Sequence, residues 1–119
     1  LNVTEKGLSN WIRPKRIPVP IWLKPGSANL MPEPLGCVLI IGTWNYPLML
    51  TILPLISALA AGNTAVIKPS EYSPATSRLI EKIIEEEFPK DIVRVLQGDG
   101  LFTQELISQK LKRAMLYLR

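Results

Sequence analysis

From Gly36 to Ile67 the chain carries no charged residue, and this restricts its fold more tightly than any other feature. A stretch of that kind belongs either in the hydrocarbon of a bilayer or in the interior of a protein. A membrane-spanning helix needs about 20 consecutive apolar residues. Here the run is broken at Gly42-Thr43-Trp44-Asn45-Tyr46-Pro47 and again at Gly62-Asn63-Thr64. Each remaining piece is too short to span, so the expectation is buried core without membrane association.

The pieces have the lengths of buried secondary structure. Cys37-Val38-Leu39-Ile40-Ile41 is a short β-rich run suited to a strand covered on both faces. Leu48 to Ala61 is apolar almost all round and long enough for a buried helix, with Pro54 predicting a kink or two abutting turns. Gly62-Asn63 closes that helix, because glycine accepts the left-handed conformation just past a helix end. Thr64 to Ile67 reads as a second strand. Ser73 suits a cap and Pro74 the first position of a further helix, in which Leu79, Ile80, Ile83, Ile84 and Phe88 make one apolar stripe. Ile92 to Leu96 reads as a third strand, less clearly so because of Arg94, and Leu101 to Gln109 as another helix.

Strands alternating with helices predict an α/β fold, a partial Rossmann-like parallel sheet with crossover helices. A different organisation precedes it. Asn2 to Ile12 suits a short helix with Leu8, Trp11 and Ile12 on one face, stopped by Pro14. Six of the eleven prolines fall between Pro14 and Pro34, which predicts an extended arm held by Ile17, Val19, Ile21 and Trp22. Residues 1–34 are therefore expected as helix and Pro-rich arm, and residues 35–119 as the α/β domain.

Composition narrows the chemistry. The net charge is +4, yet Lys15-Arg16 and Lys112-Arg113 are the only adjacent basic pairs, and no stacking aromatics alternate with them; a nucleic-acid partner is not expected. With one cysteine, Cys37, and no histidine, neither a zinc site nor a His-paired nucleophile can be built from these residues. A lone cysteine also points to a reducing compartment, with the cytoplasm expected.

Ligands of parallel α/β sheets bind beyond the carboxyl ends of the strands. Two loops of unusual content fall there. In the first, Ile41-Gly42-Thr43-Trp44-Asn45-Tyr46-Pro47, Asn45 has two readings: a helix cap, or an amide donor aimed at a developing oxyanion. Trp44 packs or shapes a ligand channel. In the second, Lys68-Pro69-Ser70-Glu71, the cation and carboxylate form a solvated turn or bind ribose hydroxyls, with Pro69 restricting the turn. No G-x-G-x-x-G follows the first strand, so any dinucleotide would be held without the usual phosphate cradle.

Glu33-Pro34-Leu35-Gly36, Gly42-Thr43-Trp44-Asn45-Tyr46-Pro47, Ala60-Ala61-Gly62-Asn63 and Lys68-Pro69-Ser70-Glu71, in that order and spacing, resemble the N-terminal signature of aldehyde dehydrogenases. The Trp-Asn-Tyr-Pro version is similar to the class 3, fatty-aldehyde-type branch. The resemblance implies an NAD(P)-dependent enzyme that oxidises aldehydes to carboxylic acids through a cysteine thiolate and a water-activating glutamate. It implies that Asn45 is the oxyanion-hole amide and that Ile41, Gly42, Thr43 and Trp44 line the cofactor channel. Lys68, Pro69, Ser70 and Glu71 match contacts to the adenine-side ribose, and Gly100 the backbone passing close to the adenine. A carboxylate at Glu71 accepts from a ribose 2′-hydroxyl and repels a 2′-phosphate, which favours NAD, with NADP still open. The full-length relative is implied to be a homodimer acting on an aldehyde substrate.

The resemblance also places the family's nucleophilic cysteine and general-base glutamate downstream of Arg119. Cys37, expected as a buried neutral thiol, is no substitute, and Glu85, Glu86 and Glu87 read as a solvated helix end. The chain is thus expected to be an inactive fragment. Leu111 to Arg119 lacks the family's Gly-Ser/Thr turn, as either a shortened coding region with a shifted frame near Lys110 or an arbitrary boundary of the expressed segment would produce. The alternative is a non-catalytic nucleotide-binding or subunit-interaction module, for which an unpaired sheet edge would serve.

Overall fold

The computed structural model describes residues 2–109 and 115–117. Two compact units appear, one ending at Pro34 and the other beginning at Leu35.

The first unit opens with α1 (Asn2–Trp11), whose last turn is closed by the Ile12 N–H donating to the Leu8 carbonyl at 3.1 Å. The predicted extended arm is instead a two-stranded antiparallel ribbon. In it β1 (Lys15–Ile17) pairs with β2 (Ala28–Leu30), Arg16 lying opposite Asn29. The prolines explain the difference. Pro18, Pro20 and Pro25 all lie in the connection, which contains a 3-10 turn at Ile21–Leu23. The paired segments are proline-free and keep every N–H needed for the ladder. The expected anchors do not hold the ribbon down, since Ile17, Ile21 and Trp22 are exposed.

The second unit is built on a four-stranded parallel sheet. Its strands are β3 (Cys37–Ile41), β4 (Thr64–Lys68), β5 (Val93–Val95) and β6 (Met115–Tyr117), arranged in the order β5-β4-β3-β6. Cys37 registers with Thr64, Ala65 with Val93, and Leu39 with Met115. The chain builds β3, β4 and β5 outward in one direction, then returns to add β6 on the far side of β3. That reversal is the topological switch of doubly wound α/β folds. Residues 115–117 of the tail supply that strand; residues 110–114 and 118–119 lie outside the described residues, and the missing Gly-Ser/Thr turn is not tested by them.

Alternate strand residues make the core, as a period of two requires. Val38, Ile40, Ala65, Ile67, Val93 and Val95 form one buried cluster with Leu55 and Ala58 of α2 (Met49–Ala60) and Ile80 and Ile84 of α3 (Pro74–Glu87). Both helices therefore cover the same face. Burying each large aliphatic side chain there contributes about 1.5–3 kcal/mol. The intervening residues, Cys37, Leu39, Ile41, Val66 and Arg94, point to the other face. Leu39 is buried, whereas Arg94 is exposed and Cys37 only half-buried, not the buried thiol expected. That placement accounts for a charged residue inside a strand.

α2 runs through Pro54 as one helix instead of two abutting turns. It ends as predicted: Gly62 has φ 79°, its N–H donates to Leu59, and the Asn63 N–H donates to Ala58. These are the two crossed bonds of a Schellman closure. Along α3 the buried stripe is narrower than expected, because Leu79 and Ile83 are exposed; Ile80 and Ile84 are buried in the core and Phe88, just past the helix end, packs against it partly buried. The main packing partner of α3 is β5, a three-residue strand that offers little surface. No helix among the described residues is long and apolar enough to cross a membrane.

Candidate functional site

Each strand of the parallel sheet ends at the same rim, and there the loops after β3 and β4 meet. The Gly42 N–H donates to the Lys68 carbonyl at 2.9 Å, carrying the ladder one residue past the strand end. Gly42 is buried, and its lack of a side chain is what allows the approach. A Cβ there would lie 2.6 Å from Thr51 Oγ1 and 3.3 Å from Pro69 Cα. Thr51, wholly buried in the first turn of α2, donates its hydroxyl to the Pro47 carbonyl at 2.6 Å and so fixes the end of the first loop.

Above this junction lies a cavity of about 350 Å³ lined by Ile41, Gly42, Thr43, Trp44, Asn45, Lys68, Ser70, Glu71, Tyr72 and Thr103. Its volume falls at the lower end of small-molecule sites, roughly 300–1,000 Å³. Both loops singled out in the sequence thus face one space. Pro69 is buried behind it against Gly42. Gly100 opens α4 (Gly100–Ser108) beside the wall, where a Cβ would stand 3.9 Å from Glu71 Oε1.

Asn45 is not the cap of α2. The helix starts at Met49, its first turn follows a turn at Pro47-Leu48, and no side chain caps it. The Asn45 Oδ1 instead accepts a hydrogen bond from the Thr43 hydroxyl at 2.8 Å. Occupying the acceptor end of the carboxamide leaves Nδ2 as the donor not used in that bond. Ser73, likewise expected as a cap, makes no cap bond to α3; its hydroxyl turns back to the Ser70 carbonyl at 3.4 Å. The buried Ser77 hydroxyl donates to that same carbonyl at 2.8 Å, so the second loop is tied to α3 from below.

The charged pair is set within this frame. Lys68 ends β4 with its side chain only 3% exposed, and its Nζ meets Glu71 Oε2 at 2.5 Å. Glu71 remains about one-third exposed, with 32% of its side chain accessible. The hydrogen bond from Lys68 holds the Glu71 carboxyl below its ordinary value of 4.5, aided by backbone hydrogen bonding, while partial burial and the charge of Asp99 pull the other way. A buried ammonium facing a half-exposed carboxylate offers donors and acceptors side by side, which suits a vicinal diol.

Sequence reasoning missed Tyr72 and Thr103 among the lining residues, and Thr51 and Ser77 beneath them. Tyr72 directly follows the second motif and could have been included with it. Thr103 could not have been found without the strand order, which brings α4 to this rim.

A doubly wound α/β unit with a ligand-sized cavity at the carboxyl ends of its strands is the class that fold and site define. Residues 8–117 match the family model described as "Aldehyde dehydrogenase family", and the chain belongs to that family. It is 44% identical over 105 residues to "Aldehyde dehydrogenase family 3 member H1" of Arabidopsis thaliana, covering 88% of this chain and 22% of that protein. Among solved structures it is similar to the substrate-bound state of Staphylococcus aureus AldH, with a TM-score of 0.87 and 43% identity over 89% of this chain and 23% of the other. It is also similar to PnpE in complex with nicotinamide adenine dinucleotide, PnpE coming from Pseudomonas sp. WBC-3, with a TM-score of 0.69 and 39% identity over 89% of this chain and 21% of the other. The chain thus spans about a fifth of the length of these relatives.

Proposed function

We propose that these residues form the NAD-binding part of an aldehyde dehydrogenase that converts aldehydes to carboxylic acids. The observation that carries the reading is the meeting of the Asn45 and Lys68 loops around one cavity at the strand ends. The similarity to PnpE, solved with nicotinamide adenine dinucleotide, supports the choice of ligand. NAD, when bound, accepts the hydride released by the aldehyde carbon. The residues here fit it: Lys68 donates to and Glu71 accepts from the ribose hydroxyls, Gly42 admits the ligand close to the backbone, and Ile41, Thr43 and Trp44 wall the channel. Pro69 and Ser70 hold the ribose turn, and Gly100 leaves room beside Glu71. Asn45 Nδ2 donates to the oxyanion that develops at the carbonyl, with Thr43 keeping the amide turned the right way. The net charge of Lys68 and Glu71 together is zero, so the site tolerates the neutral hydroxyls of NAD without an unpaired charge.

The place of Cys37 supports a reading in which binding and turnover are separate. Cys37, the sole cysteine, is the first residue of β3, and the cavity lies past Ile41 at the strand's other end. No thiol of these residues reaches the carbonyl that Asn45 would polarise, so by itself the chain is a nucleotide binder without turnover. In a full-length homodimer it would act on an aldehyde in a reducing compartment such as the cytoplasm.

Titrating NAD⁺ into the 119-residue chain while following tryptophan fluorescence tests the reading. A saturable change is expected, weakened about 10–100-fold by Glu71→Ala, as loss of hydrogen bonds to a charged group implies. Absence of saturation in the unmodified chain would refute it. Aldehyde-dependent NADH formation by the chain alone would refute the division between binding and turnover.

A further inference from the structure

The ribbon of the first unit takes no part in the nucleotide cavity, yet its tip is built with care. The connection between β1 and β2 is folded back on itself by three hydrogen bonds. The Leu23 N–H donates to the Pro20 carbonyl at 3.0 Å, the Lys24 N–H to Ile21 at 3.2 Å and the Gly26 N–H to Leu23 at 2.7 Å. A Cβ on Gly26 would lie 2.6 Å from the Leu23 carbonyl oxygen, so only a residue without a side chain closes the turn this tightly. A turn so tied has little freedom to tuck its side chains away. It nevertheless presents Ile21, Trp22 and Leu23 to solvent, Trp22 at 80% exposure. Three consecutive large apolar side chains held outward mark a contact surface.

Charge narrows what the contact is. From Arg13 to Pro32 the chain carries Arg13, Lys15, Arg16 and Lys24, all exposed, and no aspartate or glutamate. Arg16 and Lys24 also share a cavity of about 440 Å³ whose other walls are Ile17, Pro18, Val19 and Gly26, with no carboxylate among them. Among the described residues neither cation forms an ion pair. Two uncompensated cations beside an apolar wall fit a phosphate esterified to an apolar body. Tryptophan is enriched where headgroups meet hydrocarbon, and lysine and arginine stems lie along apolar surface while their heads stay in water.

We propose that the tip of the ribbon docks on an anionic lipid surface, with Ile21, Trp22 and Leu23 entering the interface while Arg16 and Lys24 take a lipid phosphate. The bilayer is touched and not crossed, because no helix among the described residues is long and apolar enough to span it. An apolar insertion joined to a basic patch supplies the two signals that stable interfacial binding needs. A second copy of the chain is a poorer occupant, since a tip-to-tip contact would set this basic surface against an equally basic one. A lipid surface supplies apolar depth and negative charge together.

Co-sedimentation of the full chain with vesicles of phosphatidylcholine, alone or mixed with phosphatidylserine, tests this. Binding is expected only to the mixed vesicles and should be lost at high salt. A cation near an anionic leaflet strengthens association roughly fivefold, so Arg16→Gln with Lys24→Gln should weaken it about 25-fold. Trp22→Ser should weaken it roughly five- to thirtyfold, as withdrawing a large apolar side chain from partial burial implies. Should Trp22→Ser unfold the ribbon, Ile21→Ser supplies a second polar tip with the same expected loss. Lys82→Gln with Lys90→Gln removes the same charge from α3 and the loop after it, where both lysines are exposed, and should change binding by less than about twofold. Equal loss from the two charge-matched doubles, or no binding to the mixed vesicles, would overturn the proposal. So would complete release by millimolar inorganic phosphate, which would mark a free-anion site. Dimerisation that Trp22→Ser abolishes, without vesicle binding, would assign the tip to a second copy and overturn it as well.

Discussion

Gly42→Ala should loosen the floor of the site through space alone. The Gly42 backbone is not in the left-handed region, since positive φ occurs among glycines only at Gly36 and Gly62. Any cost of a methyl group is therefore contact. It would lie 2.6 Å from Thr51 Oγ1, well inside normal carbon–oxygen separation, and 3.3 Å from Pro69 Cα. Thr51 cannot simply rotate, because its hydroxyl is held by the Pro47 carbonyl and the residue is wholly buried. Overpacking of this kind costs about 1–3 kcal/mol. Urea unfolding of wild type, Gly42→Ala, Thr51→Ala and the double variant measures it. Thr51→Ala deletes the clashing atom together with its own hydrogen bond, so the two substitutions should not add: the double variant should be more stable than their sum by at least about 0.5 kcal/mol. Strict additivity, or a Gly42→Ala chain as stable as wild type, would show that the strand-end loops do not meet as described.

Ile67 is fully buried in the core cluster, so Ile67→Ala should lower unfolding free energy by about 2–5 kcal/mol, while Leu53→Ala on the exposed side of α2 should change it by less than about 0.5 kcal/mol in the same denaturation assay. Gly62→Ala forces a side chain into φ 79° and should cost about 1–2 kcal/mol, seen as a lower thermal midpoint by circular dichroism. The Glu71 carboxyl is depressed in the folded chain by Lys68, so its stabilising effect is full above its ordinary value of 4.5 and fades as pH falls through the lower folded value. Urea midpoints of wild type and Glu71→Gln should therefore differ by a constant amount near neutrality and converge only in acid below 4.5; convergence already at pH 6 would contradict the pairing.

The central strands and the amphipathic helix were legible because burial dictates composition. Charge-free β3, and β4, whose one charge is its last residue Lys68, sit in the middle of the sheet, and Arg94 in β5 is accommodated by pointing away from the helices. The Schellman end of α2 was legible from Gly62 for the same local reason. Strand order was not. A short apolar strand such as Met115–Tyr117 pairs equally well with any parallel neighbour, and only the assembled sheet puts it beside β3. Capping roles failed where a side chain had a better partner: Asn45 takes the Thr43 hydroxyl and Ser73 the Ser70 carbonyl. The ribbon in the first unit is hidden by the arm's proline content, because it is position that decides the pairing: Pro18, Pro20 and Pro25 lie in the connection, Pro14, Pro32 and Pro34 outside both strands, and none within them. Thr51 and Ser77 look like ordinary hydroxyls in helices until the carbonyls they hold are known.

At the end of the sheet remote from the cavity, Asn63 accepts from the Gly36 N–H at 2.9 Å and donates to the Ala58 carbonyl at 3.2 Å, so one buried amide staples the entry to β3 onto the exit from α2. The consequence is a polarity of motion. Strands and helix are clamped at their base, and slack is left to the half-exposed loops at the opposite pole. Amide hydrogens near the base, that of Gly36 included, should exchange with solvent only when the whole sheet opens, whereas those of Trp44 and Tyr46 should exchange through small local excursions.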